Sequence, residues 1–426
     1  MLRHEPGALK SSFRRLGQFL LLALALSLPI QAFSQTTADI IGQRKHALEV
    51  YHQNKFVEAI PLLEKLVLVL PSDIVLLESL GWAQFVVSAS TKDPEARKQM
   101  RARALGILKR AKDLGDDSEL LRKALESLSQ PDALDRPVTP VASADAALRE
   151  GEAAHARGDL DEAIKGYKRA LELDPKLYIA ALFIGDMYFK KGYQATDPAE
   201  KKQLMALAGD WFTRAIAIDE NVETAYRYWG DALMAIGDKE GARAKFIDGI
   251  IAEPWNRDPY MGLTQWANKY KVSMSHPQIQ QPKPSVSTSS GEGNTTTLID
   301  PRTLAENSPA YYWSFYDHTR AKYKTASFQK DHPGEQYRHT LKEEAAALRA
   351  VAELVSKDLQ SGKIKTADPS LERLVKLFKA DLIEAYIFFT RLDEGIVRDY
   401  VAYKKANRDK LRLYWNDFVI AKESTF

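Results

Sequence analysis

The clearest candidates for chemistry in this chain are a histidine and two glutamates near its C-terminal end. His339 stands one helical turn from Glu343 and Glu344, and His318 and His332 precede them. Imidazole nitrogens and carboxylate oxygens on facing helices of a bundle can hold a metal ion. The paired Glu-x-x-His of carboxylate-bridged sites and the His-Glu-x-x-His motif are both missing. A solvated helix face explains the pattern better, so the sequence predicts no metal site and no cofactor.

The rest of the sequence excludes several kinds of site. The chain has no cysteine, which excludes disulfides, thiolate catalysis and cysteine-ligated metals. It has no glycine-rich phosphate loop and no nucleophile elbow. Basic residues between Lys404 and Arg412 could suggest a phosphate surface, but nearby acidic residues indicate a solvated helix face instead. The formal net charge is only +3 over 426 residues, which argues against nucleic acid as a partner.

The elements that must position any site are organised as a duplication. Residue 59 matches residue 163, and further pairs keep this separation of 104 positions: Pro71 with Pro175, Gly81 with Gly185, and Asp93-Pro94 with Asp197-Pro198. A separation held over about forty positions indicates duplicated helical hairpins. Each copy also has a finer period of 34 residues. Five units fit this period, at 40–73, 74–118, 144–177, 178–222 and 223–256, the second and fourth stretched by about eleven residues.

The units resemble the tetratricopeptide repeat (TPR) family. The clearest, 144–177, carries Gly158-Asp159-Leu160, Ala163, Tyr167, Ala170 and Asp174-Pro175, and 223–256 carries Trp229-Gly230, Gly237-Asp238, Ala242, Phe246 and Pro254. Small residues allow two helices to cross closely, and proline ends the second helix. The resemblance implies an all-α helical-hairpin solenoid over about residues 40–271.

The family also implies a binding surface, since the first helices of successive hairpins line a concave groove. The corresponding positions in this chain, which we predict as the partner-binding groove, are Tyr51, Trp82, Phe85, Glu152, His155, Asp186, Phe189, Arg227 and Asp231. Several of them could instead only pack between helices. Some relatives hold a terminal carboxylate with a Lys/Asn/Arg clamp. Here the clamp positions are apolar or acidic, so that type of ligand is not expected.

The N-terminal residues have the order of a secretory signal peptide. Basic residues precede an apolar run from Phe19 to Ile30, and Ala32-Phe33-Ser34 follows. The run is shorter than the roughly 20 residues that span a bilayer. We therefore expect residues 1–34 to be removed by cleavage near Ser34-Gln35. The mature protein would be periplasmic or secreted, without stable membrane insertion.

Composition and periodicity divide the remaining chain. We predict a first array with a capping helix at 38–130, a linker at 131–143, and a second array with a capping helix at 144–271. A Gln, Pro, Ser, Thr and Gly-rich stretch predicts a flexible linker at 272–304. Residues 305–426 are rich in aromatics and fit a bundle of four helices of unknown function. The third of these helices is predicted to begin at Asp368-Pro369 and to continue without a break to Leu392.

Two functions remain compatible with these features. The first is a non-enzymatic exported scaffold that binds a peptide or protein segment in the concave groove. The second is an enzyme with a catalytic or metal site in the C-terminal bundle, whose repeats recruit substrate. Because no nucleophile, metal or phosphate motif is recognisable, the sequence favours the scaffold, with a protein or peptide as partner.

Overall fold

The computed structural model describes residues 37–91, 93–130, 136–281, 304–391 and 393–420. The predicted signal peptide at 1–34 lies outside these residues, as does most of the predicted linker at 272–304. Within the described ranges the regular structure is helical, and the one bridge between extended residues joins Met274 to Ile420. The all-α fold predicted from the sequence is confirmed.

Two compact units divide the chain, the first comprising residues 1–136 with 155–159 and the second comprising 137–154 with 160–426. The first unit contains α1 (Thr37–His52), α2 (Phe56–Val69), α3 (Ile74–Ser90), α4 (Pro94–Asp113) and α5 (Glu119–Leu128). The hairpins α1–α2 and α3–α4 pack side by side, and α5 closes them by packing on α3 and α4. Leu121, Ala124 and Leu128 of α5 are buried, as expected for a capping helix.

The repeated Asp-Pro dipeptide starts the longest helices of the two arrays. Asp93 accepts a hydrogen bond from the Ala96 amide at 3.0 Å, and Asp197 accepts one from the Glu200 amide at 2.9 Å. Each proline occupies the first helical turn, where its missing N–H leaves no bond unmade. The extra residues of the stretched units therefore lengthen the helices and do not form a loop.

The second unit begins with a second array. It contains α6 (Ala142–Ala156, whose last two residues fall in the first unit), α7 (Leu160–Leu173), α8 (Tyr178–Gln194), α9 (Pro198–Ile218), α10 (Thr224–Ala235), α11 (Lys239–Ala252) and α12 (Asp258–Tyr270). Helices α8 and α9 form one hairpin, α10 and α11 form the next, and α12 packs on α11. The hairpin solenoid implied by the repeats is present.

The C-terminal region follows in the same unit. It contains α13 (Pro309–Lys322), α14 (Phe328–Asp331), α15 (Leu341–Gln360), α16 (Pro369–Lys379), α17 (Ile383–Thr390), α18 (Glu394–Val397) and α19 (Tyr400–Tyr414), with π-helical turns at Tyr323–Ser327 and Trp415–Val419. Its buried residues share one hydrophobic core with α11 and α12 of the second array. The region is therefore packed onto the array.

The flexible linker predicted at 272–304 is wrong for residues 272–281, whereas residues 282–303 lie outside the described part of the chain. Residues 272–281 are extended along the C-terminal region: the Ser275 amide donates to the Val419 carbonyl at 2.9 Å, and the Gln280 amide donates to Ser370 Oγ at 3.2 Å. His276 stacks on Tyr414, with its Nδ1 2.8 Å from the phenolic oxygen. The polar composition was misleading because residues 272–281 are held by contacts with the C-terminal region and do not need a hydrophobic core of their own.

The four-helix bundle also needs correction. The third helix, predicted to continue from Asp368-Pro369 past residue 385, ends at Lys379, and α17 starts only at Ile383. Asp381 between them has φ +56°, a left-handed conformation that an α-helix cannot contain. The apolar stripe continues across the break because both helices face the same core, so periodicity alone could not reveal it.

Candidate functional site

Glycines at the helix crossings set the orientation of the first helices in the second array. A Cβ added at Gly151 would lie 2.5 Å from a Tyr167 ring carbon, and one added at Gly185 would lie 2.5 Å from the ring of Phe212. Gly230 faces Phe246 in the same way, at 2.6 Å. These distances are shorter than any real Cβ contact, so each position requires glycine. The glycines therefore mark the face of α6, α8 and α10 that is turned towards the second helix.

The residue after each crossing glycine is acidic. Glu152, Asp186 and Asp231 follow Gly151, Gly185 and Gly230, respectively. One residue further along a helix is a rotation of about 100°, which turns these side chains away from the glycine-lined crossing. All three are half-buried. The structure thus places an acidic residue in the same register on three successive first helices.

Two tyrosines, the buried Tyr167 and the half-buried Tyr228, are within electrostatic range of these carboxylates. Glu152 and Asp186 both raise the pKa of Tyr167, after the larger effect of burial. Burial also raises the pKa of Tyr228 to about 12, and Asp186 and Asp231 add to this shift. Asp186 is therefore within electrostatic range of a tyrosine on each side. We call Glu152, Asp186 and Asp231, which share one register on successive first helices, the acidic row.

Arg227 pairs with carboxylates at the starts of two successive first helices. Its Nε donates to Glu223 Oε2 at 3.0 Å, its Nη2 lies 3.7 Å from Asp258 Oδ2, and its guanidinium lies 4.9 Å from the Tyr228 ring centre. Burial alone would lower the pKa of Arg227, but Glu223 and Asp231 help to hold it above the ordinary value. Because Asp258 begins α12, Arg227 joins two successive first helices.

Asp231 carries the most perturbed carboxylate of the row. Burial raises its pKa to about 6; Arg227 opposes this shift and Glu223 adds to it. Asp186, by contrast, has a cation at 2.8 Å, the Nζ of Lys190. Keeping Asp231 ionised at neutral pH costs folding free energy, which is typical of functional positions.

The other two predicted groove residues of this array are Phe189 and His155. Phe189 is half-buried, and its ring centre lies 6.3 Å from that of Tyr193, which is 69% exposed. His155 is half-buried near the end of α6. Phe189 therefore offers a partly accessible ring on α8.

The aromatic residues predicted in the first array belong partly to its core. Tyr51, Trp82 and Phe85 are half-buried and pack against the buried cluster of that unit. The rings of Trp82 and Phe85 are 5.6 Å apart, and burial raises the pKa of Tyr51 above its ordinary value. Part of each side chain therefore supports packing, the alternative considered from the sequence.

A surface cavity of about 590 Å³ lies on α12 and the loop before it, and the sequence prediction did not include it. Its lining residues are Pro254, Trp255, Asn256, Arg257, Tyr260, Met261, Thr264 and Gln265. The 34-residue period would have found it, since 227 and 231 become 261 and 265 when shifted by one repeat. The signal was missed because α12 starts an incomplete repeat. The cavity thus occupies the next groove positions.

In the C-terminal region, His339 and Glu344 belong to one buried polar network. His339 Nε2 lies 2.9 Å from Glu344 Oε2, and Nδ1 lies 3.2 Å from Asp393 Oδ2. Tyr316 donates to Glu344 Oε2 at 2.7 Å, and Arg391 Nη1 is 2.8 Å from Oε1. Burial alone would lower the pKa of His339, but its bonds to Glu344 and Asp393 raise it.

Glu343, the third residue of that sequence cluster, faces different partners. It accepts hydrogen bonds from Arg320 Nε at 2.9 Å and from the Tyr337 hydroxyl at 3.0 Å. Both glutamates are therefore buried and paired, not solvated as the sequence suggested. Among the described residues no group of three or more His, Asp or Glu side chains is arranged to hold a metal.

No helix in the described ranges is long and apolar enough to cross a membrane.

Comparison with protein families confirms the repeat assignment for one segment. Residues 151–192 match the family model of the TPR repeat. This segment contains the hairpin crossings at Gly151 and Gly185 and the acidic residues that follow them. No curated protein matches the chain.

Solved structures give weaker similarities. The first TPR of Spaghetti (RPAP3) bound to an HSP90 peptide is 20% identical, with 31% of this chain and 99% of that chain covered and a TM-score of 0.27. The TPR2AB domain of yeast Sti1 in complex with pHSP90 is 16% identical over 55% and 100%, with a TM-score of 0.26. Yeast Tom70 is 12% identical over 93% and 92%, with a TM-score of 0.19.

Proposed function

Because residues 151–192 form a tetratricopeptide repeat, we propose that this chain is a non-enzymatic protein-interaction scaffold. Its second array binds a peptide or protein segment along the first helices α6, α8, α10 and α12. We further propose that it acts outside the cytoplasm, after removal of residues 1–34. The aromatic residues Tyr51, Trp82 and Phe85 belong to a second groove in the first array.

The observation that carries this proposal is the acidic row of the second array. Glu152, Asp186 and Asp231 occupy one register on three helices, half-buried and turned from the hairpin crossings. Partial burial of carboxylates costs folding free energy, and packing alone would favour apolar residues there. Repeated polar groups on one helical face are better explained by a partner that contacts them.

The enzyme alternative would place chemistry at the His339 network. A histidine between two carboxylates is a familiar general acid–base arrangement. The neighbouring hydrogen-bond donors Tyr316 and Arg391 are already used within the network, however. This observation supports the scaffold over the enzyme.

Photo-crosslinking in the native host tests the proposal. A photoreactive amino acid replaces Phe189 on α8, and in a control it replaces Arg169, which is exposed on the second helix α7. We expect a discrete crosslinked partner from position 189 and none from position 169. Equal products from both positions, or none from position 189, would contradict groove binding.

Mass spectrometry tests the export proposal separately. Intact protein isolated from the envelope or medium should begin at or within a few residues of Gln35, because cleavage follows Ala32-Phe33-Ser34. Protein that retains Met1 would rule out the predicted cleavage. This result would leave the groove proposal untouched.

A further inference from the structure

Residues 272–281, which we call the strap, lead from the end of α12 across the surface of the C-terminal region. Two of the strap amides donate hydrogen bonds to the Val419 carbonyl and to Ser370 Oγ, and neither of these acceptors titrates near neutral pH. His276 is the single titratable side chain in the sequence of the strap. A change of pH near neutrality therefore acts on the strap itself through His276.

The imidazole ring of His276 packs against aromatic rings of the C-terminal region. It stacks on the Tyr414 ring, with ring centres 5.8 Å apart and planes 17° apart, and it meets the Trp415 ring edge to face at 5.3 Å. Tyr414 is fully buried, Trp415 is nearly so, and His276 is half-buried. The imidazole is thus the side chain that fastens the strap to this aromatic cluster.

A single hydrogen bond joins the two rings, and its direction depends on the protonation of His276. The Nδ1 atom lies 2.8 Å from the Tyr414 oxygen, and that hydroxyl has no other hydrogen-bond partner in the part of the chain that the structure describes. Neutral imidazole with its proton on Nε2 accepts the Tyr414 proton at Nδ1. Imidazolium carries a proton on both nitrogens, so the buried hydroxyl loses its acceptor. Protonation of His276 therefore weakens the contact.

The surroundings of His276 do not compensate a positive charge. Burial lowers the pKa of His276, and no acidic or basic side chain of the described elements contributes to the shift. The titratable groups packed around Tyr414 are the phenols of Tyr386 on α17 and Tyr260 on α12. Burial raises the pKa of all three phenols, so they stay neutral. The ring faces attract a cation weakly, but no carboxylate pairs with it.

We infer that the strap is released by acid: neutral His276 holds residues 272–281 on the C-terminal region, and protonation of His276 frees them from Tyr414 and Trp415. The contact is complete above the unfolded pKa of about 6.5 and is lost progressively as the pH falls below it. The Trp415 ring centre also lies 5.8 Å from that of Tyr260, which lines the α12 cavity. Release of the strap therefore removes a neighbour of a ring that packs against the cavity wall.

Hydrogen–deuterium exchange of the full chain at about pH 8 and about pH 5 tests this inference, with labelling times adjusted to give equal intrinsic exchange. Peptides covering 272–281 should lose about threefold or more of their protection at the lower pH, because each unit by which a pKa is lowered changes the opening equilibrium tenfold. Peptides from α15 should be unchanged, which excludes general acid unfolding. The variant His276→Gln has no charge at either pH, so its strap should show no pH dependence.

Two control variants exclude other titrating groups. Asp317 on α13 faces the end of the strap, where its Oδ1 accepts a hydrogen bond from Gln281 Nε2 at 3.4 Å. Asp317→Asn keeps an acceptor oxygen but cannot titrate, so the wild-type pH dependence should remain. His318 Nδ1 lies 2.9 Å from the Ser314 carbonyl of its own helix, and His318→Gln should likewise have no effect on the strap.

The readout is the pH dependence of exchange, so weak protection of the His276→Gln strap at both pH values supports the inference as well as strong protection at both. Three results would overturn it: equal protection of the wild-type strap at the two pH values, a pH dependence that persists in His276→Gln, or a pH dependence that disappears in Asp317→Asn. None of these measurements requires a partner, so they are independent of the proposed function.

Discussion

The hydroxyl of Tyr400 donates a hydrogen bond to the carbonyl oxygen of Ile251 over 2.7 Å. Lys404, one turn further along α19, donates to the carbonyl of Ala252 at 2.9 Å. Both carbonyls belong to the last turn of α11, where no further helical amides are available. Helix α19 therefore supplies hydrogen-bond donors to the last carbonyl groups of α11, and the C-terminal region caps this part of the second array.

We expect Tyr400→Phe to destabilise the second unit. The substitution leaves the buried Ile251 carbonyl without this donor, which typically costs about 1–3 kcal/mol. Urea unfolding followed by circular dichroism measures the loss. Tyr193→Phe, at a side chain that is 69% exposed, is the control and should have no effect. A Tyr400→Phe variant as stable as the wild type would mean that the cap contributes nothing.

We expect Gly185→Ala to destabilise the second array by about 1–3 kcal/mol, because its Cβ would overlap the Phe212 ring. The matched change Gly106→Ala, on the exposed face of α4 with no atom within 4 Å of the added Cβ, should be neutral or stabilising by up to about 1 kcal/mol. Thermal melts of both variants give the comparison. If the two variants melted alike, the crossing assigned to Gly185 would be incorrect.

The contrast between these two glycines shows what the sequence could and could not predict. The repeat interval predicted that Gly185 lies at a helix crossing, because two helices that approach closely require a small residue at the contact. The acidic positions Glu152, Asp186 and Asp231 followed from the same register. The docking of α19 on α11 could not be predicted in this way, since the residue types of Tyr400 and Lys404 do not distinguish them from other residues of an amphipathic helix. Long-range packing of this kind, including the ordered residues 272–281, needed the structure.

The raised pKa of Asp231 makes stability depend on pH. Because its folded pKa of about 6 lies above the ordinary value of about 3.9, its contribution to stability is present below about pH 4 and is lost as pH rises through 6. Asp231→Asn should therefore be more stable than the wild type at pH 7, by about 1–2 kcal/mol after allowance for partial exposure.

Chemical unfolding of Asp231→Asn at several pH values measures this difference, with Asp210→Asn as the exposed control. The stability gain should shrink as the pH approaches 4 and should be absent in the control. A constant gain at every pH would mean that the pKa of the Asp231 carboxylate is not raised in the folded protein.

The His339 network should show a pH dependence through its histidine. Glu344 and Asp393 raise the pKa of His339, although burial and Arg320 oppose them. The histidine therefore stabilises the fold fully below its unfolded pKa of about 6.5, and this contribution is lost as pH rises through the higher folded value. The stability difference between the wild type and His339→Gln should be larger at about pH 6 than at about pH 8.

His276 provides an internal comparison for that measurement. Burial lowers the pKa of His276, so its neutral form is favoured in the folded state and acidification opposes its burial. The difference between the wild type and His276→Gln should shrink as the pH falls below about 6.5. Identical pH profiles for the two variants would contradict the environments assigned to these histidines.

Hydrogen–deuterium exchange of the mature chain, with and without the partner captured by crosslinking, tests the central claim most directly. We predict that the partner slows exchange in α8, α10 and α12, the first helices that carry Asp186, Asp231 and Met261, while the second helix α7 is unchanged. Protection confined to the C-terminal region around His339, with none in these three helices, would contradict the account.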